Sequence, residues 1–442
     1  MMVSKRSSVG TIRLPQIYPS DAECLSPEDR RLVHETAFET AEHLTQNYLP
    51  GFGVFPTADP TDNFYKQLYA RDFSHAGTNY FVYTNPRAVT DSLNTIFKYQ
   101  KPDGMLPFKV EREYGLLKVI PGFRHADKYI FNFVESKLRK REERPVYEGE
   151  DFAAADDTVP CIIMVAGEFM NACAEGREFV ARNFDHLKQA AAFFQTKTDP
   201  EDCLAITTRD NSDWTDSLRR RGKLGTLNVC WGRALRVMQY ISRQLGYDRD
   251  AQRFRDEFRI VKQSVTSKLY HQSGGYFRAK EGEDRLDTVA SICGALYLLN
   301  PTDARRVEEA LKLRVEHNSG LQNFDPPYRM TDAFWVHRFF GLTAYHNRFV
   351  WPWVICQNIQ VKIKIALQHK EPVIRNQYRR ESVEDLLRIA KLFRSLSGAY
   401  EIVDPERPQP GKMRFYTPPK NFMGSLAGYQ GAYRQLNKLS WI

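Results

Sequence analysis

Apolar positions recur at three- and four-residue spacing over most of this chain, the period of an amphipathic helix rather than the alternation of a strand. The run "SPEDRRLVHETAFETAEHLTQNYL" (26–49) shows it most fully. Its Ser-Pro-Glu-Asp opening supplies a cap, a first-turn proline and first-turn acids, and apolar residues follow at helical spacing. The same period predicts helices at about 86–99, 158–173, 177–196, 227–246, 249–270, 286–298, 302–314, 332–344, 351–369, 382–397 and 423–438, most of them separated by Gly, Pro or Asp. Strand-like runs are few, chiefly "GLLKVIPGF" (115–123) and "GGYFRA" (274–279). Two long stretches, 50–72 and 102–156, carry no regular period. Long loops in a compact domain are usually functional or linkers, and the charged run 137–151 reads as an excursion over one face.

About a dozen helices without a sheet allow three architectures. An α-solenoid needs a fixed repeat, and the chain has none. Two helical bundles are a second solution. The third is an all-α double ring of six inner and six outer helices, an (α/α)6 barrel whose loops at one end form a funnel. Chemically rich residues should then sit at inter-helix loops and recur along the whole chain, as they do here. The expected organisation is an N-terminal arm at 1–25 and a single barrel at 26–442, with minor β-ribbons in loops and an excursion at about 102–156.

Composition narrows this picture only slightly. A chain of 442 residues, 42% hydrophobic, can form two ordinary domains or one large closed barrel. Aromatics reach 13%, enough to fill a core and still offer flat faces to sugar rings. The net charge of +9 gives a weak attraction to polyanions, but the basic residues do not collect into a tail. The densest clusters, "KLRKREER" (137–144) and "LRRRGK" (218–223), are short, and no zinc-finger, RNP-like or heptad pattern accompanies them, so nucleic acid is not an expected partner. Seven scattered cysteines without a CxxC pair read as reduced thiols. The N-terminus lacks an apolar signal region and no run of 18 apolar residues occurs, so a cytoplasmic protein without a membrane span is expected.

Five stretches combine residues that could carry chemistry. In "YARDFSHAG" (69–77), Arg71 and Asp72 meet the start of an apolar helix; a salt-bridged helix start is the plain alternative. "QKPDGMLP" (100–107) is turn chemistry. In "EDFAAADDTVPCIIMVAGEFM" (150–170), Asp156 and Asp157 precede a strongly apolar helix. A cap needs only one of them; the other would project from the helix end, where burial would raise its pKa and suit it to donate a proton. In "RDNSDWTDSLRRRGKLGTLNVCWGRAL" (209–235), Asp210, Asp213 and Asp216 surround Trp214 ahead of a helix near Asn228. This is either a polyol-binding surface or an Asp-rich capping loop. "LTAYHNRFVWPWVICQNI" (342–359) crowds His346, Asn347, Trp351 and Trp353 around Pro352. No Gly-rich phosphate loop, zinc spacing, EF-hand, GxSxG or HExxH occurs, and no cofactor is expected.

Taken in order, these stretches resemble helical-barrel glycoside hydrolases: the alkaline/neutral invertases and the related amylo-α-1,6-glucosidase and trehalase-like families. The matching pieces are "RDF" (71–73), "DGMLP" (103–107), "DDTVPCII" (156–163), "DWTDSL" and "NVCWGRAL" (213–235), "YHNRFVWP" (345–352), "YEIVDPE" (400–406) and "FMGSLAGYQGAY" (422–433). The resemblance implies an (α/α)6 barrel and a cytoplasmic glycosidase of α-glucosidase or invertase type. Its substrate would be a small carbohydrate, an α-glucoside or sucrose-like disaccharide, hydrolysed with inversion; it leaves self-association open. It implies Asp157 as the acid, with Asp156 as the competing register, and Glu401 as the base, while Asp404 and Glu406 remain turn charges. Arg71, Asp72, Trp214, Asp216, His346 and Trp351 fall where these families line the sugar pocket, and Asp213 and Asn228 complete the candidate substrate-binding set. The chain departs from the invertase pattern at Arg348, Phe349 and Val350, where small glycines are usual, and in the Pro-rich "ERPQPGK" after Glu401. Sucrose and other α-glucosides are therefore equally compatible. A phosphorylase, an epimerase using His337 and His346, and a non-catalytic sugar-binding protein remain as alternatives.

Overall fold

A computed structural model describes residues 25–58, 67–112, 143–150, 155–210, 212–339, 341–414 and 416–442. Apart from Leu25, the expected arm lies outside these residues, as do the strand candidate at 115–123 and most of the excursion at 102–156.

Chain order alternates between an outer and an inner layer. The outer helices are α1 (Pro27–Gln46), α3 (Pro86–Lys98), α5 and α6 (Ala174–Arg182 and Phe184–Gln195), α8 (Asp248–Ser264), α10 (Pro301–Arg314) and α13 (Pro372–Ser395). The inner helices are α2 (Ala70–Ala76, continued by a π turn Gly77–Phe81), α4 (Thr158–Ala172), α7 (Gly225–Gln244), α9 (Thr288–Tyr297), α12 (Pro352–Gln368) and α14 (Met423–Lys438). A short helix, α11 (Trp335–Phe339), lies in the loop before α12. Each inner helix packs on the next, α2 on α4, then α7, α9, α12 and α14, and α14 packs back on α2. The ring is closed: the chain is an (α/α)6 barrel, as the helical period and the recurrence of chemistry at loops imply.

Burial on two sides explains the composition of the inner helices. All ten residues of α9 but two are buried, and α4 is apolar nearly throughout, as a helix without a solvent face must be. Glycine permits the closest approaches within the ring. A Cβ on Gly167 of α4 would stand 2.3 Å from Val237 of α7, and one on Gly431 of α14 would stand 2.3 Å from Asn79 in the π turn of α2. Of the outer helices, α1, α3 and α10 carry side-chain caps: Ser26 accepts from Asp29 N, Asn85 from Ala88 N and Asn300 from Asp303 N, each with a proline in the first turn.

The strands form small antiparallel ribbons. The largest joins β1 (Gln67–Tyr69), β2 (Lys109–Glu111) and β3 (Arg144–Val146). It leads straight into α2, whose first amide donates to Phe108 O at 2.8 Å. The run 274–279 contributes Tyr276–Phe277, paired with Tyr270–His271.

Several boundaries differ from the periodic reading. The helix expected at 332–344 is only Trp335–Phe339, because its amides and carbonyls are drawn into pairing with the Asp216 loop: Phe334 N donates to Ser217 O, and Arg219 N to Asp332 O. The helix expected from 382 begins ten residues earlier, at Pro372, where the Arg- and Gln-rich first turns hide the apolar period. The run 177–196 breaks at Asn183 into two helices. Among the described residues, no helix is long and apolar enough to cross a membrane.

Candidate active site

The candidate residues gather where inner helices begin. Arg71 and Asp72 lie in the first turn of α2, Asp157 at the N-cap of α4, and Trp351 at the N-cap of α12. Asp216 precedes α7 and Glu401 precedes α14. The free amides at a helix start carry partial positive charge and favour anionic neighbours.

Asp157 occupies the N-cap of α4, yet its side chain makes no capping bond. It is instead clamped by Arg71, whose Nε donates to Oδ2 at 2.7 Å and whose Nη2 donates to Oδ1 at 2.9 Å. Such a bidentate pair is geometrically specific and holds both groups charged. The other face of the guanidinium turns to Asp216, with Nη1 3.8 Å from Oδ2. Asp156 points elsewhere: Lys197 Nζ donates to it at 2.8 Å and also to Glu148, beside Leu106, Phe193 and Phe194. Of the two registers, Asp157 faces the cluster.

Accessibility separates these carboxyls. The Asp157 side chain is 7% exposed and that of Asp216 is 39%. Asp216 is thus open to solvent on one side while protein surrounds the rest. Its pKa is pushed up to about 7 by burial, with Asp157, Asp213 and Asp72 adding to the rise and Arg71 opposing it. Asp72 is pushed up to about 6, again by burial, with Arg71 opposing. Burial also raises Asp157, against the attraction of Arg71.

His346 closes the side opposite Arg71. Its Nδ1 lies 2.9 Å from Ser217 Oγ and 3.7 Å from Asp216 Oδ1. Burial, with His337, Arg71 and Arg220 nearby, holds its pKa well below the usual range, so the ring is neutral. It stacks on Trp351, centroids 4.9 Å apart and planes within 3°. Trp214 meets His346, Trp351 and Trp353 edge-on at 5.3, 5.8 and 5.2 Å. Its Nε1 is buried and has no hydrogen-bond partner among the described residues.

Glu401 is reached through this aromatic wall. Tyr345, whose ring lies 4.5 Å from His346 and 5.1 Å from Trp351, donates its hydroxyl to Glu401 Oε1 at 2.7 Å. Tyr416 donates to Oε2. The backbone just past Glu401 pairs with that just before Trp351: Val350 and Val403 exchange amide bonds of 3.0 and 2.9 Å. Asp404 and Glu406 are turn charges: Asp404 caps the amides of Glu406 and Arg407, and Glu406 meets His317 at 2.8 Å.

Two of the candidate substrate-binding residues are buried and bonded within the protein. Asp213 is 1% exposed, accepts from Thr215 N and Oγ1, and pairs with buried Arg220, which also donates to Asp287 at 3.1 Å. Asn228 is fully buried and spends its amide on the backbones of Ala205 and Leu224. Each matches a polar motif, and each makes its described hydrogen bonds inside the protein. Conversely, sequence reasoning misses Tyr416, since it lies in a Pro-rich run with no motif. Tyr345 and Trp353 stand in a quoted stretch without a role. Among the described residues, no group of three His, Cys, Asp or Glu side chains is arranged to hold a metal ion.

No family model matches the chain, and no curated protein matches it by sequence. Solved structures do match in shape. A GH63 mannosylglycerate hydrolase from Thermus thermophilus, in complex with glucose, superimposes with a TM-score of 0.61 at 15% identity, covering 90% of this chain and 99% of that one. A glycosidase variant in complex with glucose gives 0.62 at 13% identity, covering 95% and 100%. A rhamnosidase from Klebsiella oxytoca with rhamnose bound gives 0.61 at 12% identity, covering 94% and 65%. At these identities the likeness establishes a shared barrel; function must be argued from the site.

Proposed function

We propose that this chain is a glycoside hydrolase that cleaves a small α-glucoside or sucrose-like disaccharide with inversion, Asp216 acting as the acid and Glu401 as the base. The observation that carries this reading is Asp216: a solvent-reachable carboxyl, pushed up to about 7, beside a fixed Arg71–Asp157 pair. A carboxyl of that kind is protonated over part of the neutral range, as a donor to a leaving oxygen must be. We assign the acid role to Asp216 rather than to Asp157, because both Asp157 oxygens are taken by the Arg71 guanidinium, whose charge favours the ionised carboxylate. Asp157 serves instead as a fixed negative charge that orients Arg71 and favours the protonated form of Asp216.

In the proposed reaction the glycosidic oxygen takes the Asp216 proton as its bond to the anomeric carbon breaks. A water attacks that carbon from the opposite face and passes a proton to Glu401. The products are an alcohol and a free sugar of inverted anomeric configuration, and proton exchange with solvent restores both carboxyls. The aromatic wall of Trp214, Trp351 and Trp353 suits the C–H faces of a sugar ring. The shape matches add support, since they include a hydrolase and a glycosidase in complex with glucose.

The test is a disaccharide panel with the product anomer followed by NMR. Asp216→Asn and Glu401→Gln should each lower kcat by roughly 10²–10⁴-fold. Asp157→Asn should lose less and retain a donor. If Asp157→Asn abolishes turnover while Asp216→Asn does not, the acid assignment is wrong. Sugar binding without turnover across the panel would make the chain a carbohydrate-binding protein on this barrel.

A further inference from the structure

Glu401 is only 1% exposed, yet a general base must come within hydrogen-bond reach of water. Two phenols hold it. Tyr345 donates to Oε1 at 2.7 Å and Tyr416 donates to Oε2. The two phenol oxygens are 3.5 Å apart and the rings meet edge-on, centroids 5.2 Å apart at 78°. The three residues come from separate parts of the chain: the turn before α12, the segment after α13, and the irregular run before α14.

The two tyrosines stand in different surroundings. Tyr345 belongs to the aromatic wall: its ring meets His346 and Trp351, and its carbonyl accepts from Trp351 Nε1 at 3.3 Å. Moving it would disturb the wall around Asp216. Tyr416 stands in a run with little regular structure. Its backbone bonds are local, a reciprocal pair with Met413 at 3.0 and 3.2 Å. Resting on the reading of Glu401 as the base, we infer that Tyr345 and Tyr416 are positioning residues with distinct roles. Tyr345 orients the carboxylate throughout the cycle. Tyr416 occupies Oε2 in the free protein and gives up that place to the attacking water when substrate binds.

This division makes a prediction that simple structural support would not. A donor to a carboxylate favours its ionised form, so losing the donor moves the acid limb of activity to higher pH. The kcat/KM profile reports the free enzyme and the kcat profile the substrate complex. Tyr416→Phe should therefore move the acid limb of kcat/KM up by about one pH unit while leaving that of kcat in place. Tyr345→Phe should move both. The side-chain carboxyl resonance of Glu401, assigned by its loss in Glu401→Gln, gives a readout independent of turnover: its midpoint should rise in Tyr416→Phe without sugar. If Tyr416→Phe moves neither limb or both equally, the exchange is refuted, even where Glu401→Gln is inactive. If Glu401→Gln keeps full activity, the function proposal itself fails.

Discussion

Two clusters of charge in this barrel look alike on paper and differ in kind. Between α10, α12 and α13, Lys362 Nζ lies 2.7 Å from Asp385, 3.8 Å from Glu381 and 3.9 Å from Glu308. Lys312 meets Glu381 at 2.6 Å, and Arg388 bridges Asp385 and Glu316 at 3.0 and 2.9 Å. At the other cluster, Arg71 faces Asp157 and Asp216, with Asp72 beside them. Glu308 and Asp216 are both pushed up to about 7, and burial is the first cause in each. The perturbed pKa therefore does not distinguish a working acid from a structural one. Accessibility does: Glu308 is fully enclosed, whereas the Asp216 side chain is 39% open and stands 3.7 Å from His346, which stacks on Trp351. One cluster ties an inner helix to two outer ones. The other leaves a carboxyl open to solvent.

The sharpest way to break this comparison is to disable each cluster and ask which property fails. Asp216→Asn should remove most turnover without lowering the melting temperature. Lys362→Met should do the reverse. It removes the cation nearest Asp385 and Glu308 and leaves Asp385 with Arg388 and Glu381 with Lys312, so urea unfolding should show a loss of about 1–3 kcal/mol, with the kcat of the folded fraction preserved. A turnover loss in Lys362→Met as deep as that of Asp216→Asn would erase the distinction.

The pH dependence should also differ. On the proposed reading turnover needs Asp216 protonated, so kcat/KM should fall as pH rises through about 7, and Asp216→Asn should leave no such limb in its residual rate. Glu308 should act on stability instead. Its folded pKa, about 7, lies above the ordinary value of 4.5, so between those values the native state holds a proton that the unfolded chain has released. Stability from this group is therefore present at low pH and declines as pH rises from about 4.5 to 7. Urea unfolding at pH 5 and 8 should show wild type losing stability relative to Glu308→Gln. A parallel shift in both proteins would remove Glu308 as the cause.

Much of the barrel could be read from period and punctuation. The outer helices α1, α3 and α10 announce themselves through Ser26, Asn85 and Asn300 followed by proline. Helix α13 is half hidden, because its first turns set only Ile374 and Tyr378 as buried apolar residues among Arg375, Gln377, Arg379 and Arg380. At the site, Arg71, Asp157, Asp216, His346, Trp351 and Glu401 are legible as unusual residues at helix starts. Their division of labour is not. Asp156 and Asp157 are equivalent in sequence, yet one goes to Lys197 and the other to Arg71. Asp213 and Asp216 flank the same tryptophan, yet one is consumed by Arg220 and the other stays open.

By itself the sequence determined that the chain would be helical, that the helices would alternate along it, and that chemistry would collect at their junctions. These follow from local spacing, capping and turn residues, which act within a few positions of the chain. Only the tertiary structure decided which carboxyl is clamped, which is buried as support and which can meet a ligand. Charge pairing, burial and access to water depend on distances between residues as far apart as Arg71 and Asp157, or Tyr345 and Glu401, and those distances exist only once the ring has closed.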